Sequence, residues 1–136
     1  MGQDTSSHSV QVYSDWTLLQ VGTLSSFHLN ASHNALQRLE TNTTTGRGSE
    51  VLSNVKVLDL SYNNISHIGQ SYLWPVEHSL THLHLSNNRL LNTTREVFGN
   101  MIHLQWLDLS HNQLMELDFD TFHNTRTLQV GNFMIP

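Results

Sequence analysis

Three stretches of the chain share one pattern and decide its fold: VKVLDLSYNNI at residues 55–65, LTHLHLSNNRL at residues 80–90 and LQWLDLSHNQL at residues 104–114. Each reads apolar-x-x-Leu-x-Leu-Ser-x-Asn-x-apolar. The second leucine of the pattern recurs at intervals of 25 and 24 residues. Copies at a nearly constant interval indicate a repeat array, in which each copy forms one structural unit and stacks on the next.

A weaker copy precedes these three. SHNALQRL at residues 32–39 aligns with SHNQLMEL at residues 110–117, and a longer interval follows it. The extra residues favour an irregular loop at residues 41–50, which are rich in Thr, Gly and Ser. We therefore predict an irregular segment at 1–25, a repeat array at 26–130 and a non-repeat tail at 131–136. The array comprises units at 26–54, 55–79, 80–103 and 104–127 and the start of a fifth at 128.

The end of the chain, LQVGNFMIP at residues 128–136, begins like another unit but does not continue the pattern. Gly131 stands where Leu107 stands in the preceding unit, and Pro136 takes the place of the asparagine. Glycine weakens the interior of a strand. We therefore expect the residues from Gly131 onward to lie outside the repeat fold.

The pattern also predicts which side chains are buried. In a short strand alternate side chains face opposite sides, so Leu58 and Leu60 point into the core and Asp59 points outward. The asparagine that follows reaches an inward turn, where its amide can bond buried backbone groups that a leucine could not satisfy. The predicted asparagine ladder consists of Asn34, Asn63, Asn88 and Asn112.

The outward positions of the strands and of the turns after them form a candidate protein-binding surface. They fall into three columns: His28, Val57, His82 and Trp106; Asn30, Asp59, His84 and Asp108; and His33, Tyr62, Asn87 and His111. Trp and Tyr are frequent anchors of protein interfaces. We predict protein binding by Asp59, Tyr62, His82, His84, Trp106, Asp108 and His111. The alternative interpretation is a solvated sheet face with two exposed aromatic side chains.

Other classes of function find little support. The net charge of −5 and the lack of a basic cluster argue against nucleic-acid binding. There is no Gly-rich phosphate loop, no G-x-S-x-G and no H-E-x-x-H, and the serines recur with the repeat. His82 and His84 beside Asp59 and Asp108 contain zinc-ligand types, but the sequence does not indicate a complete set of four ligands. We therefore expect no enzyme activity, no metal, no cofactor and no small-molecule substrate.

These residues resemble the leucine-rich repeat family, whose core is L-x-x-L-x-L-x-x-N-x-L. The resemblance implies an α/β-type solenoid: a horseshoe segment with short parallel strands on its concave face and irregular, 3-10 or short helical segments on its convex side. Units of about 24 residues with a Phe on the return segment, as at Phe98 and Phe122, are similar to the extracellular class of the family.

Within that class, residues 71–130 are similar to adhesion proteins of insect photoreceptor cells. The similarity extends to SYLWPVEHSL at 71–80 and NTTREVFGNM at 92–101, which the repeat does not dictate. It implies a cell-surface glycoprotein with a lipid (GPI) anchor that mediates adhesion by binding a protein, with a second copy of itself as one candidate. A Toll-type receptor ectodomain that binds a protein ligand and an intracellular scaffold are the alternatives.

Four N-x-Ser/Thr sequons are candidate glycosylation sites: Asn30, Asn42, Asn64 and Asn92. No apolar run approaches the roughly 18 residues of a membrane span, and the start of the chain lacks the apolar core of a signal peptide. Extracellular arrays commonly close their ends with cysteine-bearing caps, and this chain has no cysteine. We therefore expect it to be an internal piece of a longer cell-surface protein.

Overall fold

The computed structural model describes residues 7–9, 28–39, 55–69, 72–73, 76–118, 120–125 and 127–132. Within these residues, six three-residue strands form one parallel sheet: β1 (Ser7–Ser9), β2 (His28–Asn30), β4 (Val57–Asp59), β6 (His82–His84), β7 (Trp106–Asp108) and β8 (Val130–Asn132). They lie side by side in chain order. A second parallel sheet pairs β3 (Arg38–Leu39) with β5 (His67–Ile68), and one short helix, α1, spans Arg95–Phe98. The predicted leucine-rich repeat solenoid is therefore confirmed.

The register of the large sheet places equivalent residues of successive repeats side by side. Leu29 pairs with Leu58, Leu58 with Leu83, and Leu83 with Leu107. All four leucines are buried, whereas the residues on either side of each one are only partly buried. The alternation follows from the two-residue period of a strand, and it directs one continuous row of leucines into the core.

Four strands, β2, β4, β6 and β7, are followed by a tight turn at the same position of the repeat. His33, Tyr62, Asn87 and His111 all have positive φ angles, between 55° and 57°. The backbone N–H of His33, Tyr62 and Asn87 donates to the carbonyl of the serine in the next repeat, at 3.0–3.1 Å. Residues other than glycine adopt this left-handed conformation at a cost. The turn recurs because the bonds between repeats stabilise it.

The four asparagines named above complete these turns. The Nδ2 group of Asn88 donates to Leu60 O in the preceding repeat and to Leu85 O in its own, both at 3.0 Å. Its Oδ1 accepts the backbone N–H of Ile65 at 3.0 Å. Asn112 repeats all three bonds with Leu85 O, Leu109 O and the N–H of Leu90. The amides of Asn63, Asn88 and Asn112 therefore each satisfy the turn of their own repeat and that of the repeat before it. Among the described residues, the Asn34 amide bonds only to its own turn, at Ala31 O and Ser32 O.

The return segments, which connect each turn to the next strand of the large sheet, cover the core on the side opposite that sheet. Tyr72, Leu73 and Phe98 are buried, and the ring of Phe98 lies 6.0 Å from that of the partly buried Phe122. Helix α1 is one turn long and ends at Phe98, so the return side is irregular with a short helix, as predicted. The small β3–β5 sheet was not anticipated, because two-residue strands leave no periodic pattern.

Two strands fall in segments that the repeat pattern did not assign. Strand β1 lies in the predicted irregular segment 1–25 and pairs in register with β2. Strand β8 contains Gly131 and Asn132, which we expected to lie outside the fold, and Gly131 pairs with Leu107. That expectation was wrong for these two residues, because a parallel ladder bonds backbone to backbone and does not require a leucine. The predicted loop at 41–50 and residues 133–136 lie outside the described residues.

The asparagine ladder predicts a large local contribution to stability. Asn112→Ala should lower the free energy of unfolding by about 1–3 kcal/mol, because it leaves buried backbone groups of two repeats without partners. Urea denaturation measures the change. Asn100→Ala, at an exposed position, is the matched control and should be within about 0.5 kcal/mol of the parent chain. Equal stabilities for the two variants would contradict the role of the ladder.

One carboxyl group on the return side makes stability depend on pH. Burial raises the pKa of Glu77 above its ordinary value of 4.5, and the neighbouring His78, 3.3 Å away, opposes the shift. A raised folded-state pKa means that folding favours the protonated acid. The contribution of Glu77 to stability is therefore fully present below pH 4.5 and is lost as the pH rises through the folded-state pKa.

Glu77→Gln removes this pH dependence, because glutamine keeps the shape of the protonated acid. The variant should gain stability relative to the parent chain as the pH rises from about 4 to 7. Parallel urea denaturation of both chains across that range measures the difference. If the two chains differed by the same free energy of unfolding at every pH, the pKa of Glu77 would be the same in the folded and unfolded states, which would contradict the prediction.

Candidate protein-binding face

The outward side of the large sheet and of its turns forms the strand face. It consists of the entry column (His28, Val57, His82 and Trp106), the exit column (Asn30, Asp59, His84 and Asp108) and the turn column (His33, Tyr62, Asn87 and His111). The strand pairings align the entry and exit columns across β2, β4, β6 and β7. Every member of these two columns is half-buried, and three of the four turn residues are exposed. The residues that the sequence grouped by position therefore lie together.

In three repeats the side chain of the exit column folds back onto its own turn. Asp59 Oδ1 accepts the N–H of Ser61 at 2.9 Å and its hydroxyl at 2.5 Å. Asp108 does the same with Ser110, at 3.0 and 2.6 Å. Asn30 makes the equivalent bonds with Ser32, at 2.9 and 2.6 Å. These two aspartates, which the sequence suggested as binding residues, thus also stabilise the fold.

The signal for this arrangement was present in the sequence as Asn/Asp-x-Ser, a pattern that favours a side-chain-closed turn. His84-Leu85-Ser86 occupies the same place in the third repeat. No side-chain bond of this kind joins His84 to Ser86 among the described residues. The His84 ring is therefore the member of the exit column that the turn does not use. It lies between Asp59 and Asp108, its partners on the flanking strands.

The Thr81 hydroxyl links the His82 ring to the preceding repeat. The Thr81 hydroxyl donates to Lys56 O at 3.0 Å and lies 2.9 Å from His82 Nδ1. A hydroxyl has one proton. The roles of the hydroxyl and of Nδ1 in the second contact therefore depend on the tautomer of the His82 ring.

Aromatic groups provide the apolar part of the strand face. The rings of Tyr62 and His33 stack with centroids 4.6 Å apart and planes 7° from parallel, and Tyr62 is 52% exposed. Trp106 is half-buried, and its indole N–H is buried with no acceptor among the described residues. The columns contain no Lys or Arg. The face therefore combines aromatic surface with two carboxylates and several imidazoles.

The carboxylates of the strand face are partly engaged by the fold itself. Among the described residues, no group of three or more His, Cys, Asp or Glu side chains is arranged to hold a metal ion. One oxygen of Asp59 and one of Asp108 already accept two hydrogen bonds each. The serines that could suggest a nucleophile recur with the turns, and the hydroxyls of Ser32, Ser61 and Ser110 serve there as donors.

The candidate glycosylation sites differ in their surroundings. Asn30 lies within β2, and its Oδ1 is bonded to Ser32. Asn64 is half-buried, Asn92 is exposed, and Asn42 lies outside the described residues. Asn92 is therefore the most accessible of the three sequons that the structure describes.

Comparison with known proteins identifies the class. Two profiles of the leucine-rich repeat family match the chain, one at residues 78–130 and the other at residues 54–75. The chain belongs to the leucine-rich repeat family. The relatives it matches include chaoptin of Drosophila melanogaster, 58% identical over 93 residues, and chaoptin of Tribolium castaneum, 54% identical over 95 residues. The resemblance found at the variable positions of residues 71–130 is to chaoptin.

These matches cover part of each protein. Each chaoptin match covers 65% of this chain but only 7% of the Drosophila protein and 12% of the Tribolium protein. Tsukushi of Xenopus tropicalis is 36% identical over 74 residues, which are 54% of this chain and 21% of that protein. The chain is therefore a repeat module related to chaoptin. Modules of this family are typically non-catalytic and generally bind proteins. In the part of the chain that the structure describes, no helix has the length and apolar character needed to cross a bilayer.

The contacts of the exit column predict that removing the Asp108 side chain lowers stability, whereas removing only its charge does not. Asp108→Ala should lower the free energy of unfolding by about 1 kcal/mol, because the N–H and the hydroxyl of Ser110 lose their acceptor. Asp108→Asn should leave it nearly unchanged, since an asparagine makes the same bonds at Asn30. His84→Asn should raise the free energy of unfolding by about 0.5–1.5 kcal/mol, because the asparagine side chain supplies Ser86 with the missing acceptor. Urea denaturation of the three variants tests this. Equal losses for Asp108→Ala and Asp108→Asn would contradict it.

Proposed function

We propose that this chain is part of a chaoptin-like cell-surface adhesion protein and that its strand face binds a partner protein. The observation that carries the proposal is the composition of that face. Trp106 stands in the entry column and Tyr62 in the turn column, on either side of the exit column with its half-buried imidazole and carboxylates, and the three columns contain no Lys or Arg. Aromatic side chains surrounded by polar groups that exclude water are typical of the energetic centre of protein interfaces.

The similarity to chaoptin supports the adhesion role, the location at the cell surface and the lipid anchor that we propose for the longer protein. The sequons agree with them, because N-linked glycans are added in the secretory pathway. A second copy of the same protein on an opposed membrane is the partner that we propose, since an adhesion surface of this kind must act between cells. His82, His84 and His111 would contribute to the rim of the interface and Trp106 to its centre.

A bead assay tests the proposed binding. Beads coated with the chain should aggregate with one another, and Trp106→Ala should weaken the interaction by about 30-fold or more, the effect of losing an interface anchor worth at least about 2 kcal/mol. Fluorescence-based counting of bead clusters against the density of immobilised protein measures the loss.

Met115→Ala is the matched control, because Met115 is 76% exposed but lies outside the three columns of the strand face. It should leave aggregation unchanged. Trp106→Phe separates packing from hydrogen bonding, since it keeps an aromatic ring and removes an N–H that has no described acceptor. Aggregation that persists undiminished in Trp106→Ala would contradict the strand-face assignment. Lack of aggregation by the parent chain would contradict self-association.

A further inference from the structure

In the exit column of the strand face, one imidazole stands between two carboxylates. His84 on β6 pairs with Asp59 on β4 and with Asp108 on β7. Among the described residues, no ion pair joins His84 to either aspartate, and each carboxylate uses only Oδ1 for its turn. Because the three columns contain no Lys or Arg, the imidazoles are the only groups of the strand face that can carry a positive charge. The carboxylates therefore leave an acceptor oxygen for a group outside the chain.

The order of the charges along the column decides how two such faces can meet. In a two-fold interface the contacts are reciprocal, so that residue i of one copy meets residue j of the other and j meets i. An axis parallel to the strands keeps each column opposite itself and reverses the order of the strands. If the axis passed through β6, His84 would meet its own copy, and if it passed through β7, Asp108 would do so. An axis between two strands is therefore the one that sets imidazole against carboxylate.

An axis between β6 and β7 gives complementary contacts in the entry and exit columns. In the exit column, His84 lies opposite Asp108 of the second copy. In the entry column, His82 lies opposite Trp106, and an imidazole against an indole ring is a favourable aromatic contact that gains a cation–π component on protonation. An axis between β4 and β6 would instead set His82 against Val57. The complementarity of charge and ring therefore selects the position between β6 and β7.

The turn column and the direction of the arrays agree with this axis. The N–H of Asn87 donates to Ser110 O, which holds the turn after β6 beside the turn after β7. The same axis therefore sets Asn87 opposite His111 of the second copy, and an amide and an imidazole can hydrogen-bond. It also reverses the order of the repeats. The two arrays then run in opposite directions, as chains that extend toward each other from opposed membranes do.

We propose that two copies of the chain pair strand face to strand face about a two-fold axis between β6 and β7, with His84 of each copy opposite Asp108 of the other. This pairing rests on the proposed function, since it names the surface through which the second copy binds. The two Trp106 side chains lie next to the axis, and the imidazoles and carboxylates surround them. Each copy supplies both the acid and the base of the contact.

The pairing makes adhesion depend on pH. Histidine gains its positive charge between about pH 8 and pH 5. At pH 8 the carboxylates meet neutral imidazoles, whereas at pH 6 they meet imidazolium groups across the interface. Beads coated with the parent chain should therefore aggregate about tenfold more strongly at pH 6 than at pH 8. The titratable groups that flank His84 within one copy are Asp59 on β4, Asp108 on β7, His82 on its own strand, and Tyr62 and His111 on the neighbouring turns.

Mixing two variants tests the reciprocity of the contact. Beads coated with His84→Asn and beads coated with Asp108→Asn each lose both imidazole–carboxylate pairs, so at pH 6 each set should aggregate about tenfold less than the parent. A mixture keeps one pair, His84 on one bead against Asp108 on the other, and should form two-colour clusters about threefold more readily than single-colour clusters. Fluorescence counting of the clusters measures the ratio.

Both variants should fold, because an asparagine in the exit column makes the turn bonds seen at Asn30. Circular dichroism at both pH values verifies it, and the pH dependence of the parent chain needs no variant. Met115→Ala, which lies outside the strand face, is the control and should follow the parent at both pH values. Asp59→Asn tests the position of the axis. It should weaken aggregation less than Asp108→Asn does, because Asp59 lies opposite β8, whose sequence has no histidine.

The outcomes separate this pairing from the proposed binding itself. Two-colour clusters no more frequent than random mixing gives, or equal aggregation of the parent at pH 6 and pH 8, would overturn the pairing and leave binding through the strand face intact. A loss in Asp59→Asn as large as that in Asp108→Asn would overturn the position of the axis. Lack of aggregation by the parent at both pH values would overturn self-association and the pairing together.

Discussion

The hydrogen bonding of buried backbone at each turn is the constraint on which the rest of the structure depends. A chain that turns inward after every three-residue strand buries N–H and C=O groups that neither strand nor helix satisfies. The amide of Asn88 resolves this for two repeats at once, since it reaches Leu60 O, Leu85 O and the N–H of Ile65. Leucine packing supplies the driving force, but the amide fixes where one repeat sits on the next. Because the amide fixes the position of each repeat on the next, the columns of the strand face are aligned.

Much of this arrangement could be predicted from the sequence because it repeats. The leucine rows, the asparagine positions and the columns of the strand face follow from a two-residue strand period and an interval of 24–25 residues. The left-handed turn at Tyr62 was not predicted, since Tyr does not favour a positive φ and the bonds between repeats enforce it. The fold-back of Asp59 onto Ser61 was missed although its Asn/Asp-x-Ser signal recurs.

Features that lack side-chain periodicity could not be predicted from the sequence. Strands β1 and β8 are joined to the sheet by backbone pairing, so Ser7–Ser9 and Gly131 show no leucine pattern that would reveal them. A cleft of about 360 Å³ beside β5, lined in part by Ile68 and Val97, depends on two successive repeats following different paths after Ile65 and Leu90, which an alignment of their similar cores does not show. The strand face and the cleft therefore differ in origin. One is produced by regular stacking, and the other by a local departure from it.

The direction of the asparagine bonds has a consequence for synthesis on the ribosome. Asn112 completes the turn of the repeat before it, so a repeat emerging from the ribosome keeps unsatisfied turn groups until the next asparagine has been made. The delay is one interval of 24–25 residues, or about 1–5 s at ordinary rates of translation. The growing array therefore always has one incomplete repeat at its C-terminal end, and folding follows translation at a fixed distance.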